Sequence, residues 1–208
     1  MTKLIGCILI LFLSLSSSAQ EKVMIKDPFA LKAKLKKQAK ETTSIVADFT
    51  QERHVSFMDK PQVSEGKFYY QQADKMRWEQ TVPNNYVLLI SNAKVRIKDN
   101  GKEKNIEGAN KMMEKINSLM LGLINGDVFE SKAFDTQYFT SGENYIVELI
   151  PKNKRLLSIF KTIELTFSKQ TVRLKVLTFY ENSGDITIMK FFNDKFNQSI
   201  KDSIFLKL

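Results

Sequence analysis

The chain has 208 residues, a formal net charge of +9, and one cysteine, one histidine and one tryptophan. Those counts exclude a disulfide framework and would leave a zinc or transition-metal site to be built almost wholly from carboxylates. The basic balance fits anionic membrane surfaces or acidic partners, and equally a lysine-rich surface that keeps the protein in solution; the cations are spread through helices and strand faces, which argues against nucleic acid.

Residues 1–19 read as a signal peptide. Lys3 is a minimal positive region, Leu4 to Leu13 is apolar, and Ser17-Ser18-Ala19 is a small-residue cleavage site. The apolar run is too short to span a bilayer stably. Cys7 opens that run instead of following it, so lipidation is not expected, and the thiol leaves with the signal. The expected mature chain, residues 20–208, is one domain in the periplasm, stabilised by core burial alone.

Residues 20–26 read as a loose leader. Asp27-Pro28 marks a helix start, and the helix runs to about Thr43 with an apolar stripe of Phe29, Leu31, Leu35, Ala39 and Thr42 opposite Lys32, Lys36 and Lys40. Ser44 to Arg53 then alternates with period two, placing Ile45, Ala47, Phe49 and Gln51 on one side. His54 to Glu65 reads as a mobile connection. Three strands follow: Lys67 to Gln71, Lys75 to Thr81 and the apolar run Tyr86 to Ile90. Phe68 and Tyr70 share one face. Met76, Trp78 and Gln80 share another, opposite Lys75, Arg77 and Glu79. Val95 to Lys98 is a further strand, Asp99-Asn100-Gly101 is a hairpin signal, and Lys102 to Ile106 pairs back.

Gly108 to Asn125 breaks the pattern. Met112, Met113, Ile116, Leu119, Met120 and Leu123 recur at helical spacing, and Gly126 stops the helix. Methionine adapts to irregular apolar partners, although the same stripe fits an ordinary core-facing helix. Strands resume at Phe134 to Thr140 and Tyr145 to Ile150. Lys152 to Phe160 reads as a connection with a helical turn that exposes Leu156, Leu157, Ile159 and Phe160. Thr162 to Phe167, Val172 to Tyr180 and Ile186 to Phe192 are strands, and Phe205 lies on a last extended segment. The expected fold is mainly β with helices (α+β): about ten to eleven antiparallel strands, curling as large sheets do, with two amphipathic helices available to plug the curl.

Reactive chemistry is hard to find. His54 reads as a surface histidine, the few glycines sit in turns and form no phosphate loop, and the acidic residues fall singly at outward positions. No cofactor and no enzymatic activity is expected. A soft apolar interior in an exported chain points to binding.

The ordered set Ala47-Asp48-Phe49-Thr50-Gln51, Glu65-Gly66-Lys67-Phe68-Tyr69-Tyr70, Met76-Arg77-Trp78-Glu79, Pro83 and Asn92-Ala93-Lys94-Val95 resembles the periplasmic outer-membrane lipoprotein carrier family, LolA. The resemblance follows element order through the mature chain and is sharpest over residues 45–101. It implies an incomplete antiparallel barrel closed by a helical lid around an apolar cavity. The implied acyl-cavity residues are Phe49, Phe68, Tyr70, Met76, Trp78 and Leu88. The implied lid residues are Gln72, Met112, Met113, Ile116, Leu119, Met120 and Leu123. Gln72-Ala73 stands where the family has Arg-Pro, so a latch made there lacks charge assistance. The implied function is a periplasmic chaperone that carries acylated lipoproteins from the inner to the outer membrane, with an inner-membrane lipoprotein-releasing transporter and an outer-membrane acceptor as partners, acting as a monomer. At about 0.8 kcal/mol per methylene, on the order of forty exposed methylenes cost roughly 30 kcal/mol as an upper estimate, so such cargo does not cross water alone. Two alternatives share the fold: an envelope sensor, or a carrier of another lipid or amphiphile.

Overall fold

The computed structural model describes residues 21–72, 74–91, 94–104 and 119–208. The expected signal peptide, the turn positions Ala73, Asn92 and Ala93, and the lid positions Met112, Met113 and Ile116 lie outside the described residues.

Twelve strands form one antiparallel sheet in the order β1-β8-β9-β10-β11-β12-β2-β3-β4-β5-β6-β7. They are β1 (Val23–Met24), β2 (Ser44–His54), β3 (Gln62–Gln71), β4 (Lys75–Val82), β5 (Tyr86–Ser91), β6 (Lys94–Asp99), β7 (Lys102–Lys104), β8 (Phe134–Ser141), β9 (Asn144–Pro151), β10 (Phe160–Ser168), β11 (Leu174–Glu181) and β12 (Ile186–Phe196). The edges β1 and β7 do not pair with each other, so the sheet curls without closing. Among the described residues both edges are two or three residues long, and a short edge limits the backbone left free to recruit another chain.

The count exceeds the expected ten or eleven for a physical reason. The stretch read as a loose leader is held down: Val23 and Met24 pair with Thr140 and Phe139, and Lys22 sits between Glu148 and Glu164. Those two carboxylates face each other across β9 and β10, and like charges in that register repel unless a cation lies between them.

Helix α1 (Phe29–Glu41) lies between β1 and β2, and residues 119–125 form α2, between β7 and β8. Strand β7 is one edge and β8 is next to the other, and the described end of the connection between them, residues 119–125, packs into the core of the sheet. Helix α1 carries the chain from the β1 edge to the central strand β2. Leu31 and Leu35 of α1 and Leu119, Met120 and Leu123 of α2 join one core with Phe49, Phe68, Tyr70, Met76, Leu88, Val147, Leu149, Leu165 and Leu177 from the sheet. Gly126, at φ 81°, ends α2 in the left-handed region that glycine adopts without penalty.

Several local expectations change. Phe29 is 78% exposed and leaves the stripe of α1, because the helix starts there. Pro28 is the cap residue, and Asp27 Oδ1 accepts the Phe29 N–H at 3.1 Å. Strand β3 begins at Gln62, and His54 ends β2, which shortens the expected connection from both sides. Gly66 is therefore mid-strand, and it is required there. A Cβ would stand 2.0 Å from Glu79 O and 2.8 Å from Phe49 Cε1, because the Phe49 ring lies across the glycine. Of the four apolar residues expected to be exposed there, Leu156 and Phe160 are buried, Ile159 is half-buried, and Leu157 of α3 (Lys154–Leu157) is exposed.

The C-terminal segment is not a strand. Asp202–Phe205 is a short 3-10 turn laid on the outer face of β4 and β5, with Phe205 buried. Arg77, predicted to face outward, does so but is covered by this strap. Its guanidinium donates to Ile204 O at 3.3 Å, Lys207 O at 2.5 Å and Glu79 Oε2 at 2.9 Å. Arg96 and Lys98 donate to the carbonyls of Leu206 and Leu208.

Candidate functional site

The inner face of β2 to β5 is built by alternation. Phe49, Phe68, Tyr70, Met76 and Leu88 are all buried, and Trp78 is half-buried against them. The Trp78 ring lies 3.8 Å from Phe49 at a 30° tilt and meets Phe68 and Phe191 edge-on at 6.0 and 6.3 Å. Such offset and edge contacts suit the ring quadrupoles. These six residues, predicted as one group, are brought together beneath α2.

Of the six, Phe68 alone borders the inner cavity, which has a volume of about 100 Å³. Its other walls are Leu35 of α1, Met120 and Leu123 of α2, Leu165 of β10 and Phe191 of β12. The larger space, about 890 Å³, is an open groove between α2, the turn at 127–131, the start of β8 and α3. Leu119, Leu121 and Gly122 of α2 form one wall, and Val128, Phe134 and Leu156 form another. Ligand pockets usually measure about 300–1,000 Å³, so the groove is ligand-sized and the inner cavity is not. Sequence reading missed Phe134, Leu156 and Phe191 as lining residues. Their hydrophobicity was visible, but only the curl of the sheet brings β8, α3 and β12 round to α2.

The polar groups at the site mark its borders. Tyr70 Oη donates to Asn125 Oδ1 at 2.9 Å, joining the sheet wall to the end of α2. Burial, then the negative charge of Asp74, raises the Tyr70 pKa, so the hydroxyl keeps its proton as a donor. Gln72 is exposed at the top of β3, and its backbone N–H donates to Thr43 O at 2.9 Å. At the mouth of the inner cavity Arg173 stacks on Phe196, 4.1 Å from the ring centroid, and pairs with Asp194 at 3.3 Å. Tyr138 is buried beside this interior with an unpartnered hydroxyl, and burial followed by the Glu130 charge pushes its pKa up to about 12.

Charge stays at the borders of these spaces: Asp127 and Lys154 line the groove, with Asn125, Ser131 and Asn153, and Arg173 and Asp194 line the inner cavity. Among the described residues the buried charged side chains are Arg77 and Asp185. Arg77 is under the outer strap, and Asp185 sits in the β11–β12 turn, accepting from Ser56 N–H and Arg53. Among the described residues no three His, Cys, Asp or Glu side chains are gathered to hold a metal, and no helix is long and apolar enough to cross a membrane. The arrangement is suited to taking up apolar matter by burial.

Comparison with curated proteins yields no match. Solved structures with a similar fold include a DUF1329 family protein from Desulfovibrio piger, at 14% identity and TM-score 0.48, covering 86% of this chain and 97% of that one. A LolA superfamily protein from Nitrosomonas europaea matches at 10% identity and TM-score 0.44, covering 85% and 97%. MucB in the MucA/MucB complex of Pseudomonas aeruginosa matches at 11% identity and TM-score 0.46, covering 84% of this chain and 59% of that one. The family model of the outer membrane lipoprotein carrier protein LolA matches residues 40–206, nearly all of the sheet and both flanks of the groove, and the chain belongs to that family.

Proposed function

We propose that the protein is a periplasmic carrier that sequesters the acyl chains of lipoproteins between α1, α2 and the sheet, after a signal peptide over residues 1–19 is removed. The observation that supports this reading is a ligand-sized groove of about 890 Å³ beside α2, in a chain that belongs to the lipoprotein carrier family. Leu119 and Met120 are the residues through which α2 meets cargo, and Phe49, Phe68, Tyr70, Met76, Trp78 and Leu88 are the wall that α2 leaves when more volume is needed. The Tyr70–Asn125 hydrogen bond is a latch that a modest energy opens, since an uncharged hydrogen bond contributes about 1 kcal/mol net. Met112, Met113, Ile116 and Gln72 belong to the same lid assignment. The partners on this reading are an inner-membrane transporter that loads the carrier and an outer-membrane acceptor that unloads it. On this reading the protein binds its cargo and does not transform it.

The test is release of lipoprotein from spheroplasts. Wild-type protein is expected to bring acylated lipoprotein into the soluble fraction, and Leu119→Glu to abolish release while the urea midpoint of folding stays within the normal range for a groove-lining change. Leu119→Met serves as the conservative control and retains release. No release by the wild type, or full release by Leu119→Glu, overturns the carrier reading. Absence of release together with tight binding to an envelope signalling protein would favour a sensor.

A further inference from the structure

In an antiparallel sheet alternate turns gather at opposite ends of the strands. The lower rim therefore collects the β2–β3, β4–β5, β6–β7, β9–β10 and β11–β12 connections. Phe57, Met58, Val63, Val82 and Leu157, half of the exposed large apolar side chains among the described residues, lie at this end. Phe57 is the extreme case at 86% exposure.

The β2–β3 turn is pinned, and Phe57 is held out by it. Val55 beneath it is buried, Met58 N–H donates to Val55 O at 2.9 Å, and Ser56 N–H donates to Asp185 Oδ1 at 3.1 Å. The β11–β12 turn links this tip to α3: Asn182 N–H donates to Ile159 O at 2.9 Å, the Asn182 side-chain amide donates to Leu157 O, and the Cβ position of Gly184 is 3.7 Å from Ser56 Cβ. Phe57, Met58 and Leu157 thus share one continuous rim.

The charge of that rim has a single sign where α3 contributes. Residues 152–161 include Lys152, Lys154, Arg155 and Lys161 and no acidic residue. Lys152, Lys154 and Lys161 are exposed. Asp59 offsets Lys60 beside Phe57, so the tip is close to neutral and the cationic band lies next to it. The same α3 segment, through Asn153, Lys154 and Leu156, lines the groove.

We propose that this lower rim docks on an anionic lipid surface, with Phe57 and Met58 inserted at the headgroup–acyl boundary and Lys152 and Lys161 against lipid phosphates. Apolar side chains beside lysines are the combination that binds such interfaces. A convex tip with one dominant aromatic offers little of the roughly 800 Å² per partner that a stable protein interface buries, and it matches a soft surface that closes around it. Docking would bring the groove to the membrane at the α3 end, giving acyl chains a short path between bilayer and protein. The docking argument stands on the rim and not on the identity of the cargo.

The test is vesicle flotation of the full mature chain with phosphatidylglycerol/phosphatidylethanolamine vesicles and with neutral phosphatidylcholine vesicles. Wild type is expected to float with the anionic vesicles and to bind less as salt rises. Phe57→Ser with Met58→Ser should lower partitioning at least tenfold, and Lys152→Gln with Lys161→Gln several-fold. Uptake of a fluorescent fatty acid into the groove should stay unchanged in both variants, so a failure of docking is distinguishable from a failure of the carrier reading. Phe57→Trp in a Trp78→Phe background should show a blue-shifted emission on anionic vesicles. No flotation of the wild type, flotation unaffected by the Phe57 and Met58 changes, or a protein captured by a photo-crosslinker at position 57 in place of lipid each overturns the proposal.

Discussion

Tyr138 is the residue whose chemistry is least at ease with its surroundings. Its hydroxyl is buried without a partner, and its pKa is raised to about 12. A buried unpaired hydroxyl costs about 1–3 kcal/mol, so Tyr138→Phe should be neutral or stabilising in urea unfolding at pH 7. The pH dependence has a definite sign. An unfolded tyrosine ionises near 10, whereas the folded one holds its proton to about 12. The stability linked to this group is complete below pH 10 and is lost as pH rises towards 12. Tyr138→Phe should therefore flatten the decline of unfolding free energy across that interval. An equal decline in the variant would show that the hydroxyl is not the titrating group. Tyr138 was not singled out from sequence, and the reason is instructive. Its alternation within β8 marks it as inward, but whether an inward hydroxyl finds a partner depends on what crosses above it.

Among the elements, the C-terminal strap best separates fold from site. Phe205 is buried on the outer face, away from the groove, and three cations, Arg77, Arg96 and Lys98, hold the carbonyls around it. Phe205→Ala should destabilise the protein by about 3–5 kcal/mol, the usual cost of emptying a buried aromatic site, and leave fatty-acid uptake unchanged when measured well below the denaturation midpoint. Loss of uptake at full folding would mean that the strap communicates with the interior. The strap also shows where sequence reading stops. Lys75, Arg77 and Glu79 were legible as an outward set, because alternation alone determines that. That Arg77 is also covered could not be read, because the cover comes from more than a hundred residues away. The strands, the hairpin at Asn100-Gly101 and the stop at Gly126 were legible for the converse reason: each is set by neighbours in sequence. Strand β1 was illegible because two residues carry no period.

At the scale of the whole molecule, the inward faces were readable and the empty space was not. The predicted wall from Phe49 to Leu88 is one cluster, yet the groove lies elsewhere, between α2, the start of β8 and α3. Curvature decides which apolar faces touch and which stand apart, and curvature is a property of twelve strands together.

The sheet order has one more consequence. Residues 44–104 form one unbroken meander and residues 134–196 another, and they meet along a single ladder from Ile186–His54 to Phe196–Ile45. The β7–β8 connection is the covalent bridge between these two halves; besides it they are held by that ladder, by the C-terminal strap on β4 and β5 and by the β1–β8 pairing. The protein is in this sense a natural split pair. A chain cleaved once between Lys104 and Leu119 should stay associated, recovering the far-UV circular dichroism of the intact sheet when its fragments are mixed. Dissociation of the fragments at micromolar concentration would show that the ladder needs its tether. Should the pair hold, the lid is a part that can be exchanged, lengthened or replaced by a sensor peptide while the bowl assembles around it.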